Sequence, residues 1–323
     1  MNRKFFGLGL TALALAFAAT GQALAADPWP TSKPIRIIVP VPPGGAMDVT
    51  TRLVALKMSE KLGQQIIIDN RPGGDTTLGT RLVKEAPADG YTILSQSNPF
   101  STQPRLKQNP GYDPLKDFIP LGPMLRGPII VEVGGGQPDQ ALKDFIARAK
   151  ATPLQFASPG IGSAPHIAGE LMLVNAGVKA EHIPYKGASA AYPDVVAGRV
   201  PIFFDGYAGS APFLKDGKMR ALAVTGPSRI APLPNVPTLV EQGINVTYTY
   251  WLGLIVKAGT PADVVQRLSD SLKYATSSKD LVDRFVADGT DPTFMTPTEF
   301  GDYISKEIEQ FGKLANDLKL AKE

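Results

Sequence analysis

Short runs rich in β-branched and aromatic residues alternate along this chain with segments of helical periodicity. Such alternation is typical of parallel sheets flanked by helices, because each parallel strand needs a crossover connection. Several runs are continuously apolar, as expected of strands that are buried on both faces. The sequence therefore predicts the α/β class, with strands at Ile35 to Val41, Gln65 to Ile68, Thr92 to Ser95, Ile129 to Val133, Leu154 to Ala157, Val200 to Phe204 and Ala221 to Thr225.

The first residues have the three parts of a secretory signal peptide. Arg3 and Lys4 form a basic start, Leu8 to Phe17 an apolar middle, and Ala23-Leu24-Ala25 a cleavage site of small residues. The apolar stretch is shorter than the ~20 residues that a membrane-spanning helix needs, and no later segment is apolar for that length. We therefore expect residues 1–25 to be removed and the mature protein to be periplasmic and not itself membrane-spanning.

The composition excludes several classes of function. The sequence has no cysteine, which removes disulfides, thiol nucleophiles, cysteine-rich zinc sites and a lipid-anchoring cysteine. Two histidines without cysteine make a catalytic metal site improbable, and no cofactor is expected. Without Arg3 and Lys4, 31 basic residues stand against 30 acidic ones, scattered along the chain, so no nucleic-acid partner is expected. We expect a freely diffusing monomer.

The length predicts two lobes. About 298 mature residues exceed the size that a single core usually reaches. Proline- and glycine-rich connections occur near Leu121 to Pro128 and near Thr225 to Pro237. They predict a first lobe from residues 26–124 and 227–323, and a second lobe from residues 125–226.

Helix signals are strongest near the C-terminus. Thr260-Pro261 followed by Asp263 predicts the start of one helix. Thr296-Pro297-Thr298-Glu299 has the spacing of a capping box before another. A stripe with a 3.6-residue period then predicts a long terminal helix packed on a lobe, with Phe300, Ile304, Ile308, Phe311 and Leu318 on its buried face.

A glycine pair follows the first predicted strand and precedes a predicted helix. Glycines at such a turn let a ligand approach the backbone, and the free N–H groups of a helix start attract anions. The residues of a Walker phosphate loop, a following lysine and hydroxyl residue, are missing. The loop is either a tight turn or a seat for a carboxylate, and its candidate residues are Pro43, Gly44, Gly45, Ala46, Met47 and Asp48.

A second loop repeats this arrangement after the strand at Leu154 to Ala157. Ser163 is placed to cap the following helix, and Pro165 falls in its first turn. Open α/β sheets bind ligands at the carboxyl ends of their strands, so two such loops facing each other would hold an anion from both sides. The candidate residues of this loop are Ser158, Gly160, Gly162, Ser163 and His166.

Three further residues complete the candidate site. Lys186 could neutralise a carboxylate, or could be a solvated surface lysine. Asp205 could accept a hydrogen bond from a ligand hydroxyl or amine, or could hold a loop amide. Ser97 follows a predicted strand, next to Phe100, which with Tyr207 and Trp251 could add aromatic surface or pack in the core.

Seven motifs in this order resemble the Bug/TctC family, the extracytoplasmic binding components of tripartite tricarboxylate transporters. The resemblance runs over essentially the whole mature chain. The motifs are KPIRIIVPVPPGGAMD (Lys33 to Asp48), DNRPGGD (Asp69 to Asp75), ADGYTIL (Ala88 to Leu94), SPGIGSAPHIAGE (Ser158 to Glu170), PYKGASAA (Pro184 to Ala191), RALAVTGPSR (Arg220 to Arg229) and NVPTLVEQG (Asn235 to Gly243).

The resemblance implies a type II periplasmic-binding-protein fold, in which two lobes joined by a hinge close over a small carboxylate and deliver it to membrane transporter subunits. It also implies that the two glycine loops form the jaws, with Gly44, Gly45, Gly162 and Ser163 as anchors. The family often has small hydroxyl residues after the glycine pair, where this chain has Ala46 and Met47. Met47 could offer an apolar wall instead. We therefore expect a di- or tricarboxylate, or an aromatic carboxylate.

Two other functions fit parts of the sequence. A periplasmic sensor could present the bound carboxylate to a membrane signalling protein instead of a transporter. A secreted hydrolase could use Ser163 with His166 or His182, but the chain has no G-x-S-x-G elbow, and capping explains Ser163 and His166. We expect a binding protein and not an enzyme.

Overall fold

A computed structural model describes residues 29–317, so the predicted signal peptide lies outside the described residues. The strands in this range are β1 (Ile35–Val39), β2 (Ile66–Asn70), β3 (Thr92–Ser97), β4 (Phe118–Gly134), β5 (Leu154–Ser158), β6 (Ala180–Pro184), β7 (Ile202–Gly206), β8 (Met219–Val224) and β9 (Thr249–Lys257). The α-helices are α1 (Ala46–Leu62), α2 (Thr77–Glu85), α3 (Pro99–Leu106), α4 (Leu142–Ala151), α5 (Ala164–Asn175), α6 (Ala188–Val196), α7 (Tyr207–Lys215), α8 (Ala262–Thr276), α9 (Lys279–Ala287) and α10 (Pro297–Asp317).

The strands pair in the order β2-β1-β3-β9-β4-β7-β5-β6, and β8 also pairs with β4. The β1 strand is parallel to β2 and β3, and β5 is parallel to β6 and β7. The β4 and β9 strands pair antiparallel with their neighbours. The result is a mixed α/β structure in which two groups of parallel strands are joined through β4 and β9.

The long β4 strand belongs to two sheets in turn. Its first part pairs with β9, from Phe118 opposite Lys257 to Pro128 opposite Thr249. Its second part pairs with β7 and β8 from Ile129 onward. The first three strands run in the same direction as β4, whereas β5, β6 and β7 run against it. The carboxyl ends of both parallel groups therefore point toward the crossing between the sheets, where ligands of open α/β sheets bind.

Thr225 ties the two crossing segments together. Its backbone N–H donates to the carbonyl of Ile129 at 2.9 Å, and its hydroxyl oxygen accepts from the N–H of Ile129 at 2.9 Å. The same hydroxyl donates to the carbonyl of Tyr248 at 2.7 Å, and the Tyr248 N–H donates back to Thr225 at 2.8 Å. One buried threonine thus connects the outgoing strand with the segment that returns toward β9.

The contacts of the returning segment bear on the lobe boundaries. Leu239, Ile244 and Val246 pack into the core that α4 and α5 form on the second sheet. The lobe boundaries remain a proposal. Because of these contacts, we propose that the second lobe continues past residue 226 and ends close to Thr249. The first crossing then lies near Pro128 in β4.

The terminal helix α10 begins with the predicted capping box. The backbone N–H of Thr296 donates to the Glu299 carboxylate at 2.8 Å, and the Glu299 N–H donates to the Thr296 hydroxyl at 3.3 Å. Phe300 is buried against Trp251 of β9, with ring centroids 5.1 Å apart. Further along the helix, Phe311 joins the core that contains α5. The helix therefore packs on both sheets, and not on one lobe alone as the sequence predicts.

None of the helices within residues 29–317 combines the length and the apolar character that crossing a membrane requires.

The neighbours of Gly253 in β9 leave no space for a side chain at this position. A Cβ atom at this position would lie 2.7 Å from the Phe300 ring and 3.1 Å from the carbonyl oxygen of Gly122. We expect Gly253→Ala to lower the free energy of unfolding by about 1–3 kcal/mol, the usual effect of overpacking. Gly136→Ala is the matched control, since no atom lies within 4 Å of its Cβ position. Equal stability of the two variants in urea denaturation would contradict this packing.

Candidate functional site

The first candidate loop connects β1 to α1 and is braced by Asp48. One oxygen of the buried Asp48 carboxylate accepts from the Gly44 N–H at 2.9 Å and from Arg52 Nε at 3.0 Å. The other oxygen accepts from Asn70 Nδ2 at 2.9 Å. These bonds, the one to Arg52 foremost, lower the pKa of Asp48 to about 2. Asp48 therefore holds the loop in shape as a constant negative charge.

The residues ahead of Asp48 differ in exposure. Pro43, Gly44, Gly45 and Ala46 are exposed, whereas Met47 is buried in the core beneath α1. The Gly44 N–H already donates a hydrogen bond to the Asp48 carboxylate. No residue in the described range accepts a hydrogen bond from the N–H of Ala46 or Met47, the first two helical residues. These two amides are among the donors that the start of α1 offers, and the Met47 side chain is core packing in this conformation.

The second candidate loop connects β5 to α5 as predicted. Ser163 caps α5, since its hydroxyl accepts from the His166 N–H at 3.3 Å, and Pro165 lies in the first turn. Gly160 and Gly162 have φ of +151° and +74°, and the value for Gly162 lies in the left-handed region that favours glycine. The Gly162 N–H donates to His166 Nδ1 at 3.1 Å. The Gly162 amide therefore already has an acceptor within the loop. The N–H of Ala164 has no acceptor within residues 29–317.

Helix α3 of the first lobe contacts the second loop directly, which the sequence reasoning missed. The hydroxyl of Thr102 donates to the Gly162 carbonyl at 3.1 Å. A Cβ on Gly162 would lie 2.3 Å from Leu106 Cδ1. The loop from the second lobe is therefore seated on the helix that follows β3. A polar residue in an amphipathic helix gives no sequence signal for such a contact.

The remaining predicted residues lie at the carboxyl ends of other strands. Ser97 ends β3 and is half-buried, with its amide donating to Gln96 Oε1 at 2.8 Å. Ser158 ends β5, and its hydroxyl is 2.7 Å from His182 Nε2. Lys186 is exposed, and no ion pair of its ammonium group is found in the described part of the chain. The topology thus brings all three to the edges that face the crossing.

Asp205 is the last residue but one of β7 and forms an acidic pair with a residue that the sequence reasoning did not consider. Its carboxylate accepts from the Tyr192 hydroxyl at 2.5 Å, and burial raises the pKa of Asp205 to about 6. Glu132 of β4 is completely buried, and no described residue donates to its carboxyl oxygens within normal geometry. Burial, and then the charge of Asp205, raise the pKa of Glu132 well above its ordinary value; the Ser210 hydroxyl offsets a part.

The hydrolase hypothesis finds little support in this geometry. The Ser163 hydroxyl donates to the Gly160 carbonyl at 2.7 Å and accepts from a backbone amide, so it serves as a cap. The Ser158 hydroxyl does contact His182, but Ser158 is completely buried. Burial lowers the pKa of His182 to about 3, which makes it a weak base at neutral pH. No group of three or more acidic or histidine residues in the described range could hold a metal ion.

A cavity of about 420 Å³ lies beside the crossing segments, away from the candidate loops. Its walls come from β4 at Arg126 to Pro128, from residues 226–231, from residues 247–249 and from α10. None of the predicted site residues lines it. The cavity is a separate feature beside the crossing segments, and the candidate site remains the pair of loops at the carboxyl ends of β1 and β5.

The comparison with known families decides the class of this protein. A model of the tripartite tricarboxylate transporter family receptors, TctC, matches residues 50–320. The chain belongs to this family. The match includes α5 and the second candidate loop, and it begins inside α1, directly after the first loop.

Solved structures agree with the TctC assignment. The periplasmic binding protein BugD is 29% identical over 90% of this chain and 99% of that one, with a TM-score of 0.77. Rpa4515 from R. palustris, solved with adipate, is 31% identical over 91% and 100%, with a TM-score of 0.80. MatC (Rpa3494) from Rhodopseudomonas palustris, with bound malate, is 26% identical over 87% and 98%, with a TM-score of 0.74. The predicted two-lobed periplasmic-binding-protein fold is confirmed, and the chain is a solute-binding receptor of the TctC family.

The unpartnered carboxyl group of Glu132 predicts an unusual stability change. A raised pKa in the folded protein means that the contribution of Glu132 is complete below pH 4.5, its ordinary pKa, and is lost as the pH rises through the folded value. Glu132→Gln should therefore raise the free energy of unfolding at pH 8 by about 1–3 kcal/mol, and the gain should vanish near pH 4.

Glu307→Gln is the matched control for this prediction. Glu307 is also buried, but it accepts from Asn98 Nδ2 and, at 3.0 Å, from Trp251 Nε1. An amide there would face a donor, so this variant should be less stable than the wild type. Urea denaturation of both variants at pH 8 and pH 4 measures the difference. A loss of stability in both at pH 8 would show that Glu132 has partners in solution.

Proposed function

We propose that this receptor captures a small carboxylate between the loops at Pro43 to Asp48 and Ser158 to His166 and delivers it to membrane subunits of a tripartite tricarboxylate-type transporter. The observation that carries the proposal is the placement of two helix starts at the facing carboxyl edges of the two sheets. Helix starts with free amides favour anions through their N–H groups and the helix dipole.

The amides that remain unoccupied refine the anchors. The amides of Gly44 and Gly162 are engaged by Asp48 and His166, which fix the shape of the two loops. Ala46, Met47 and Ala164 then provide the N–H groups for the ligand, directly or through ordered water. The substitution of hydroxyl residues by Ala46 and Met47 matters little for this mode, since backbone donors do not depend on the side chain.

The ligand class follows from the relatives. Structural neighbours in the same family hold adipate and malate, both linear dicarboxylates. Two helix starts, one in each lobe, suit a molecule with a carboxylate at each end. Binding both ends stabilises the closed arrangement of the lobes over the open one, which couples capture to closure. We therefore favour a linear dicarboxylate over a tricarboxylate or an aromatic carboxylate.

A thermal-shift series should identify the ligand. The series compares adipate, malate, citrate and benzoate at the same concentration, about 1 mM. A ligand that binds the folded protein stabilises it by RT ln(1 + [L]/Kd), which is about 2.7 kcal/mol when its concentration is 100 times Kd, and so raises the melting temperature. We expect the largest shift with a dicarboxylate. Shifts with sugars or amines, but with no carboxylate, would contradict the anion site. Delivery to a transporter is tested separately, by loss of uptake of that carboxylate when the gene is deleted.

Gly45→Val tests the first loop without disturbing the fold. Gly45 has φ of −76°, and no atom lies within 4 Å of its Cβ position, so the loop can accept a side chain. A branched side chain there would block the approach of a carboxylate to the Ala46 and Met47 amides. We expect at least a tenfold weaker Kd, about 1.4 kcal/mol, with unchanged melting of the ligand-free protein. Gly136→Val, equally unobstructed, is the control, and equal affinity of both variants would contradict the loop assignment.

A further inference from the structure

The two histidines of the entire chain lie against each other beneath the second loop. The rings of His166 in α5 and His182 in β6 stack with centroids 3.9 Å apart and an angle of 20° between their planes. Phe156 of β5 stacks on His182 at 4.8 Å. His166 is almost completely buried. The pair therefore forms one layered cluster inside the second lobe, beside the carboxyl end of β5.

Each imidazole contacts a different part of the loop. His166 Nδ1 accepts the N–H of Gly162 at 3.1 Å. His182 Nε2 is 2.7 Å from the Ser158 hydroxyl, which in turn accepts the N–H of Gly160 at 3.2 Å. The backbone of the loop is thus held at two glycine amides by the histidine pair, one directly and one through Ser158.

We propose that His166 and His182 are positioning residues for the anion-binding loop, and that loss of the His182 ring releases the loop and weakens ligand binding. This inference rests on the proposed function, because it assigns the loop its ligand. The role of His182 is the new part of this inference. Capping of α5 explains Ser163 and His166, but it gives no role to His182, which stacks on His166.

A proton added to the His166 ring would break the hydrogen bond that the ring accepts from the loop. Because Nδ1 of His166 accepts a hydrogen bond, the neutral ring carries its proton on Nε2, which faces Glu170 Oε1 at 3.6 Å. An added proton must go to Nδ1, where it would meet the Gly162 N–H. A second positive ring 3.9 Å away would repel the first.

The surroundings supply little to offset this charge. Glu170 of α5 is the acidic group beside His166. Glu181 precedes His182 on β6, but its carboxylate accepts from Gln155 Nε2. On the first lobe, α3 presents the uncharged Thr102 and Leu106 to the loop. The cluster is therefore built for neutral imidazoles.

The lowered pKa of His182 agrees with this geometry. Burial, and then the neighbouring charge of His166, bring it to about 3 in the folded protein, below its ordinary 6.5. The His182 ring is therefore neutral at pH 7.5 while the loop is held.

A nuclear magnetic resonance titration tests the pair without any ligand. Since the chain has only two histidines, long-range ¹H–¹⁵N spectra contain two imidazoles that His182→Gln assigns. We expect the His182 ring to stay neutral from pH 8 to pH 5, with the His166 Nδ1 signal typical of an acceptor. Ordinary titration of both rings near pH 6.5, with unchanged amide signals of Gly160 and Gly162, would overturn the proposal.

The effect on binding is measured as the Kd for adipate at pH 7.5. His182→Ala removes the ring that contacts Ser158, and we expect about a tenfold weaker Kd together with shifted amide signals of Gly160 and Gly162. His182→Gln, which keeps a polar partner for Ser158, should weaken the Kd by less than about threefold.

The outcomes separate this inference from the proposed function. Adipate binding at pH 7.5 with the same affinity in the wild type and in His182→Ala would overturn the histidine proposal and leave the carboxylate receptor intact. No carboxylate binding at pH 7.5 would overturn the proposed function, and the ligand-free titration would still decide whether the pair holds the loop.

Discussion

The whole arrangement depends on one strand that is shared between two sheets. Because β4 pairs with β9 in its first part and with β7 and β8 in its second, the two lobes have a common hydrogen-bonded axis. Thr225 fixes the returning segment to this axis through bonds with Ile129 and Tyr248. The direction of β4 also decides where the parallel strands end. Both groups terminate toward the crossing, so the topology alone puts the two candidate loops on sheet edges that point toward each other.

In each candidate loop, a glycine amide forms a hydrogen bond within the loop and fixes its shape. Asp48 takes the Gly44 amide, and His166 takes the Gly162 amide, so the glycines that look most available in the sequence are already engaged. A loop that is fixed before the ligand arrives loses less conformational entropy on binding. The first residues of α1 and α5 are left to donate. The glycines give the loops their backbone conformation and their open approach, and the helix starts supply the polarity.

The sequence predicted the α/β class, the capping box at Thr296 and the cap at Ser163, because these are local patterns with a period or a fixed spacing. It missed β9, whose pairing depends on distant partners rather than on its own composition. The extent of β4 was underestimated, since Pro120, Pro123 and Pro128 read as breakers, yet they lie in a strand with register shifts. Contacts such as Thr102 with the second loop or His182 with Ser158 join residues far apart in sequence, and no local signal reveals them.

The central claim is that a carboxylate draws the two lobes together around the facing loops. Small-angle X-ray scattering of the mature protein, with and without saturating adipate or the best carboxylate of the thermal series, measures this directly. The account predicts a smaller radius of gyration in the bound state, because closure about the β4 axis brings the lobes closer. A scattering curve that does not change, although calorimetry shows the ligand to be bound, would contradict it.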